Sequence, residues 1–338
     1  MRNSFKYICL LALISMPVFV SCSDDDDETE TKPSLRGHVT FDMPEYILRN
    51  SLITMEASGI VYPEGANYKW YCYGVTGDSL AFNTITFRVP DSLGSFILTA
   101  VAQYEGYYST TGSKHFTTID TTRGASLSGL AESTRTFTDP RDGITYDYVT
   151  IGSLDWFAQN LTWDGAGVAF KHSPATETLF GRMYHWEEAT GGVSASGLGA
   201  GPQGACPQGW SVPTNEDWAD LSNAVSGGTI RSFDDIWEGL GEKVSAPALF
   251  NGERMWLYCP DNEHTNDFGW NALPLGNSTM YNETFSDMGK YGYWWSSTER
   301  SEDQAWFRYI YYDLGSFPAS STNKDDFGAS VRCVRLAR

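Results

Sequence analysis

Cys206-Pro207-Gln208-Gly209-Trp210-Ser211-Val212-Pro213-Thr214-Asn215-Glu216-Asp217-Trp218 is the stretch on which the fold of this chain turns. Pro213 precedes a helix start, and the Thr214 hydroxyl can accept from the free N–H groups of the first turn. Glu216 and Asp217 then place negative charge at its positively polarised end. Trp218, Leu221 and Val225 follow at i, i+3 and i+7, on one helical face. Towards the C-terminus, residues 291–298 and 306–312 read as β-rich runs, with Gly and Asn scattered between them. Residues 134–338 are therefore expected to form one α+β domain with long loops.

Towards the N-terminus the pattern changes. Residues 37–119 hold short strand-like runs at 51–57, 68–73, 81–87 and 94–102, the last three rich in aromatic and β-branched residues. Turn formers such as Pro63-Glu64-Gly65 separate them, and this spacing predicts an all-β sandwich with Trp70 in its core. The layout resembles immunoglobulin-like or PKD-like modules of bacterial surface proteins. The polar stretch 120–133 reads as a linker. Its Asp120-Thr121-Thr122 fits a short O-glycosylation pattern of Bacteroidetes secreted proteins, although three residues carry little weight.

The first residues carry Arg2 and Lys6, then an apolar run over 7–20 too short to span a bilayer. Phe19-Val20-Ser21-Cys22 ends it and resembles the bacterial lipobox, with Phe19 where Leu is usual. The expectation is a lipoprotein signal peptide over 1–21, removed to leave Cys22 acylated. Residues 22–36 then read as an acidic tether, since Asp24-Asp25-Asp26-Asp27-Glu28 repels itself and buries nothing. An acidic tract behind the lipidated cysteine resembles the surface-export signal of Bacteroidetes lipoproteins. It implies a lipid anchor in the outer membrane and a chain facing the cell exterior. The net charge of −19 argues against nucleic acid and against anionic membrane surfaces.

The C-terminal half resembles a family. Residues 149–161, 180–189 and 206–218, then 268–274, 293–299, 305–309 and 327–335, are similar in order to blocks of the Fibrobacter succinogenes major paralogous domain. The block at Cys206 is the closest to the family pattern. That family resembles the C-type-lectin-like fold, shared with the formylglycine-generating enzymes. The resemblance implies a small twisted sheet, two helices, long loops and a Cys206–Cys333 disulfide. Cys72 and Cys259 are then expected to be buried free thiols.

No catalytic set emerges. Gly199-Ala200-Gly201-Pro202-Gln203-Gly204 satisfies a dinucleotide motif in letters only, because it follows a Ser/Gly loop and Pro202 blocks a helix start. His38, His115, His172, His185 and His264 are scattered, and no cysteine pair has zinc spacing. The close cysteine pair of the formylglycine-generating enzymes and the Ca²⁺ signatures of animal C-type lectins are missing. Glycoside hydrolysis needs a carboxylate pair, and nothing in the sequence selects one. No metal or cofactor is implied.

What remains is binding. Sugars lay their apolar faces on Trp and Tyr, and polar side chains fix their hydroxyls. The family-block residues Trp156, Trp210, Trp218 and Trp295 read as core. The candidates for ligand contact are Trp256, Tyr258, Asp261 and Asn262 in one aromatic and polar run, Trp270 where a smaller aromatic is usual, and Tyr281, Trp306, Arg308 and Tyr311. The expectation is a non-catalytic surface lipoprotein that captures polysaccharide or oligosaccharide. Its class-level partners are a TonB-dependent transporter, the transporter's lipoprotein lid and a surface glycosidase. A fimbrial-tip or host-binding adhesin is the alternative, and a glycoside hydrolase the more distant one.

Overall fold

A computed structural model describes residues 31–73, 82–229, 231–279, 281 and 283–338. The expected signal segment, Cys22 and the acidic run behind it lie outside the described residues. The chain is mostly β, in several small sheets with a few short helices.

Between Arg36 and Ile119 the strands enclose one core. A four-stranded sheet runs in the order Tyr46–Leu48, Thr110–Ile119, Gly94–Gln103, Asn67–Tyr73. Two antiparallel pairs accompany it, Arg36–Thr40 with Ser58–Tyr62 and Leu52–Glu56 with Thr84–Arg88. The period of two explains the burial: Leu98, Ala100 and Ala102 alternate inward along Gly94–Gln103. Trp70 sits in this core, 5.0 Å from the Phe41 ring, and donates its Nε1–H to Phe82 O at 2.8 Å. The stretch expected as tether is already folded at its end. Pro33 O accepts from Tyr108 N at 2.9 Å, and Leu35 is buried in the same core.

The polar stretch 120–133 is built into the structure as well. Leu127–Ser128 pairs antiparallel with Leu249–Phe250, which in turn pairs with Glu253–Arg254. Asn271 clamps Ala131 from both sides, accepting from its N–H and donating to its carbonyl at 2.8 and 2.9 Å. An apolar cluster joins Tyr46 and Ile119 to Leu127, Phe170, Phe180, Ala248 and Met255. The stretch reads as polar, but Leu127 is buried in this cluster, Leu130 packs against it, and the Leu127–Ser128 backbone is paired.

The C-terminal half rests on the helix expected at the opening stretch, Asn215–Ser226. Thr214 Oγ1 accepts from Asp217 N at 3.2 Å, and Asp217 returns a bond from Thr214 N at 2.8 Å. Gly227, at φ 78°, ends the helix in the left-handed region. Its buried face, Trp218, Leu221 and Val225, meets Trp156, Trp237, Trp270 and Trp294 in one aromatic core. Tyr291–Glu299, Gln304–Tyr311 and Ala319–Asn323 form an antiparallel sheet beside it. A second core surrounds Cys206 and Cys333, which form a disulfide with Cα atoms 5.8 Å apart. Closing so long a loop stabilises the chain by roughly 4–5 kcal/mol in the chain-entropy model.

Arg332 lies wholly buried among these cores, and burial pushes its guanidinium down to about 9. It donates to Asn160 Oδ1 and to the carbonyls of Phe157, Trp270 and Asn271, and it sits over the Trp270 ring at 4.3 Å. Oxygen dipoles and a ring quadrupole thus take the place of a counter-ion.

Candidate functional site

The loop after Glu253–Arg254 folds back on the Pro247–Leu249 segment and encloses a pocket of about 320 Å³. Leu249 and Arg254 contribute to its lining from the paired strands, and Pro247 and Ala248 from the residues just before them. Trp256, Tyr258, Cys259, Asn262, Glu263 and His264 contribute from the loop. This volume falls at the lower end of small-molecule sites.

Three of the lining residues each carry a buried polar atom without a partner, as Trp156, Trp210, Trp218 and Trp270 do at their indole N–H groups in the cores. Asn262 is buried and donates Nδ2–H to Tyr312 O at 2.7 Å, which turns its Oδ1 the other way, where that atom has no partner. Trp256 is 1% exposed, and its Nε1–H also has no acceptor. The Trp256 ring stacks on His264 at 4.7 Å and 23°. Burial, helped by the Arg254 charge, pushes the His264 imidazole down to about 4, and its Nδ1 has no partner either. At neutral pH the residues around the pocket thus carry one buried indole N–H, one buried amide oxygen and a neutral imidazole nitrogen, each covered and without a partner among the described residues. Tyr258, 69% exposed, stands among the lining residues, with the Arg254 guanidinium 5.3 Å from its ring centre.

Of the residues expected from the sequence, Trp256, Tyr258 and Asn262 line this pocket together, and Asp261 is exposed in the same loop. The others are placed elsewhere. Trp270 is fully enclosed between Trp156, Trp218, Trp294 and Phe317, so it has no face to give a sugar. Arg308 is likewise buried, with its guanidinium between the Trp237 and Phe233 rings and Nη1 donating to Asp235 O and Phe317 O. Burial lowers it to about 8. These two are corrected from ligand contacts to packing residues, because neither ring face nor guanidinium reaches the surface.

Trp306 is half-buried beside Phe233 and under Arg300. Tyr281 is exposed, 6.5 Å from the His185 ring. Tyr311 belongs to a half-exposed row with Tyr291, Tyr293 and Tyr309, in which Tyr291 and Tyr311 stack at 4.3 Å. The rings of this row spend their faces on one another. Sequence reasoning passed over Arg254, Cys259 and His264, although all three lie within nine residues of Trp256, and over the Pro247–Leu249 wall, which is far from that loop only in chemistry. Cys72 and Cys259 are free and half-buried rather than buried. Among the described residues no group of three His, Cys, Asp or Glu side chains is placed to hold a metal ion.

The Fibrobacter succinogenes major domain matches residues 149–335, more than half of the chain, and the chain belongs to that family. The whole pocket lies inside the matched range. No curated protein and no solved structure matches the chain.

Proposed function

We propose that this chain is a non-catalytic glycan-binding lipoprotein of a Bacteroidetes-type cell surface, and that the pocket at Trp256 holds part of a polysaccharide. One observation carries the reading. Three residues that line one pocket, Trp256, Asn262 and His264, each carry a buried polar atom without a partner, and an exposed tyrosine lines the same pocket. A buried polar group left unsatisfied costs about 1–3 kcal/mol. Sugar hydroxyls both donate and accept, so a sugar for which the loop shifts can answer groups of this kind, while its apolar face covers Tyr258.

In this reading residues 134–338 take a C-type-lectin-like fold and residues 37–119 an immunoglobulin-like sandwich. Acylated Cys22 and the acidic run behind it hold both at the outer membrane. A TonB-dependent transporter, its lipoprotein lid and a surface glycosidase are the partners that such a capture protein serves. The test is calorimetry and affinity electrophoresis against a panel of polysaccharides. Retardation by at least one glycan supports the reading, retardation by none sinks it, and reducing ends that accumulate with time identify a hydrolase. Cys22→Ala should release the protein from the membrane fraction.

One observation favours the adhesin alternative. The half-exposed tyrosine row presents ring edges and hydroxyls, a composition common in protein–protein contacts. Saturable, protease-sensitive binding to host cells without any glycan retardation would favour it.

A further inference from the structure

One wall of the pocket is held from outside the family domain. Ala248 and Leu249 line the cavity, and Leu249–Phe250 pairs with Leu127–Ser128 from the stretch that precedes the matched range. Asn251, next along the chain, donates its N–H to Ser126 O at 2.7 Å. Its side chain donates to Thr118 O at 2.9 Å, on a strand of the N-terminal core. Ala248 packs in the apolar cluster that contains Tyr46, Ile119 and Leu127, and Tyr46 lies 6.0 Å from the Phe250 ring.

Gly129 is the tightest point. It holds φ at +80°, and a Cβ there would stand 2.5 Å from Pro247 O and 3.3 Å from Ala248 Cα. Only glycine lets the two segments approach this closely at this backbone angle.

We propose that residues 120–133 and the β unit before them are positioning elements of the pocket. They fix the Pro247–Leu249 wall against the Trp256–His264 loop and so set what the pocket admits. The same family domain on another support would present a differently shaped pocket. The proposal rests on the pocket being the functional site, but its test does not need a glycan.

Cys259 lines the pocket, and Cys72 lies on the strand Asn67–Tyr73, which neither variant below touches. Both thiols are free and half-buried. The full chain is treated with iodoacetamide, and alkylation of each cysteine is followed by peptide mass mapping. Gly129→Ala pushes the wall, and Asn251→Gly removes the bond to Thr118 while keeping the left-handed backbone at φ 49°. Each variant is expected to raise the rate at Cys259 relative to Cys72 by about threefold or more, as local opening does. An unchanged ratio in both variants overturns the proposal. If Gly129→Ala raises both thiols together the fold itself has loosened, and Asn251→Gly then decides. A protein that binds no glycan would still give the altered ratio, so failure of the functional reading and failure of this inference are separable.

Discussion

Trp256 keeps a ring face on His264 while its Nε1–H goes unanswered, so its packing and its hydrogen bonding can be separated by substitution. Trp256→Phe retains an aromatic ring and deletes the donor. Calorimetry with a retained glycan should show affinity lower by about 1 kcal/mol, roughly fivefold, while the smaller buried ring lowers the unfolding temperature modestly. Equal affinity would remove Trp256 from the site. Trp270→Ala should behave in the opposite way. A wholly buried ring at the centre of the aromatic core costs about 3–5 kcal/mol to remove, read as a lower urea midpoint. Trp270→Ala as stable as the parent would contradict that placement.

His264 adds a pH signature at the same scale. Its imidazole is held at about 4 in the folded chain against 6.5 for a free side chain. Between those values the unfolded chain binds more protons, so this part of the stability is complete above about pH 6.5. It is lost as pH falls through about 4. Urea unfolding of His264→Gln at pH 4.5 and 7 should lack this slope, and a difference equal to the parent's would refute the assignment.

The helix Asn215–Ser226 is where local and tertiary forces meet. Asp217 caps it and also accepts from Gly199 N at 2.6 Å, which ties the glycine-rich loop to the helix start. Burial pushes this carboxyl up to about 6, against the lowering by its N–H donors. The sign is the reverse of the usual acid effect. The folded chain binds the proton between about 4 and 6, so this contribution is present below about 4 and lost as pH rises through about 6. Asp217→Asn should remove that component, on the order of 3 kcal/mol at most. The stability difference between parent and variant, measured from pH 4 to 7, should therefore change in favour of the parent as pH falls. A difference independent of pH would refute it.

Across the whole molecule, the apolar cluster around Tyr46, Ile119, Leu127 and Ala248 welds the N-terminal strands to the family domain. Scanning calorimetry should therefore give one cooperative transition, and two separated transitions would show that the cluster does not couple them. Much of this architecture was legible. The strand runs at 68–73 and 94–102, the cap at Thr214 and the Trp218, Leu221, Val225 face depend on neighbours in sequence, and they stand where local chemistry puts them. The pocket was half legible: Trp256, Tyr258 and Asn262 share one short run, whereas the wall they face comes from residues fixed by a strand more than a hundred positions earlier.

The sequence by itself determined the family, the helix that opens after Thr214 and the aromatic wealth of the chain. Those properties reside in residue types and short spacings. Only the tertiary structure decided which tryptophans line a cavity. Trp256 and Trp270 are both buried, yet one lines a cavity and the other is walled in by four rings. It also decided that Leu127–Ser128, within the polar stretch 120–133, pairs with Leu249–Phe250. Exposure and backbone pairing are set by segments far away in the chain, and no local pattern carries that information.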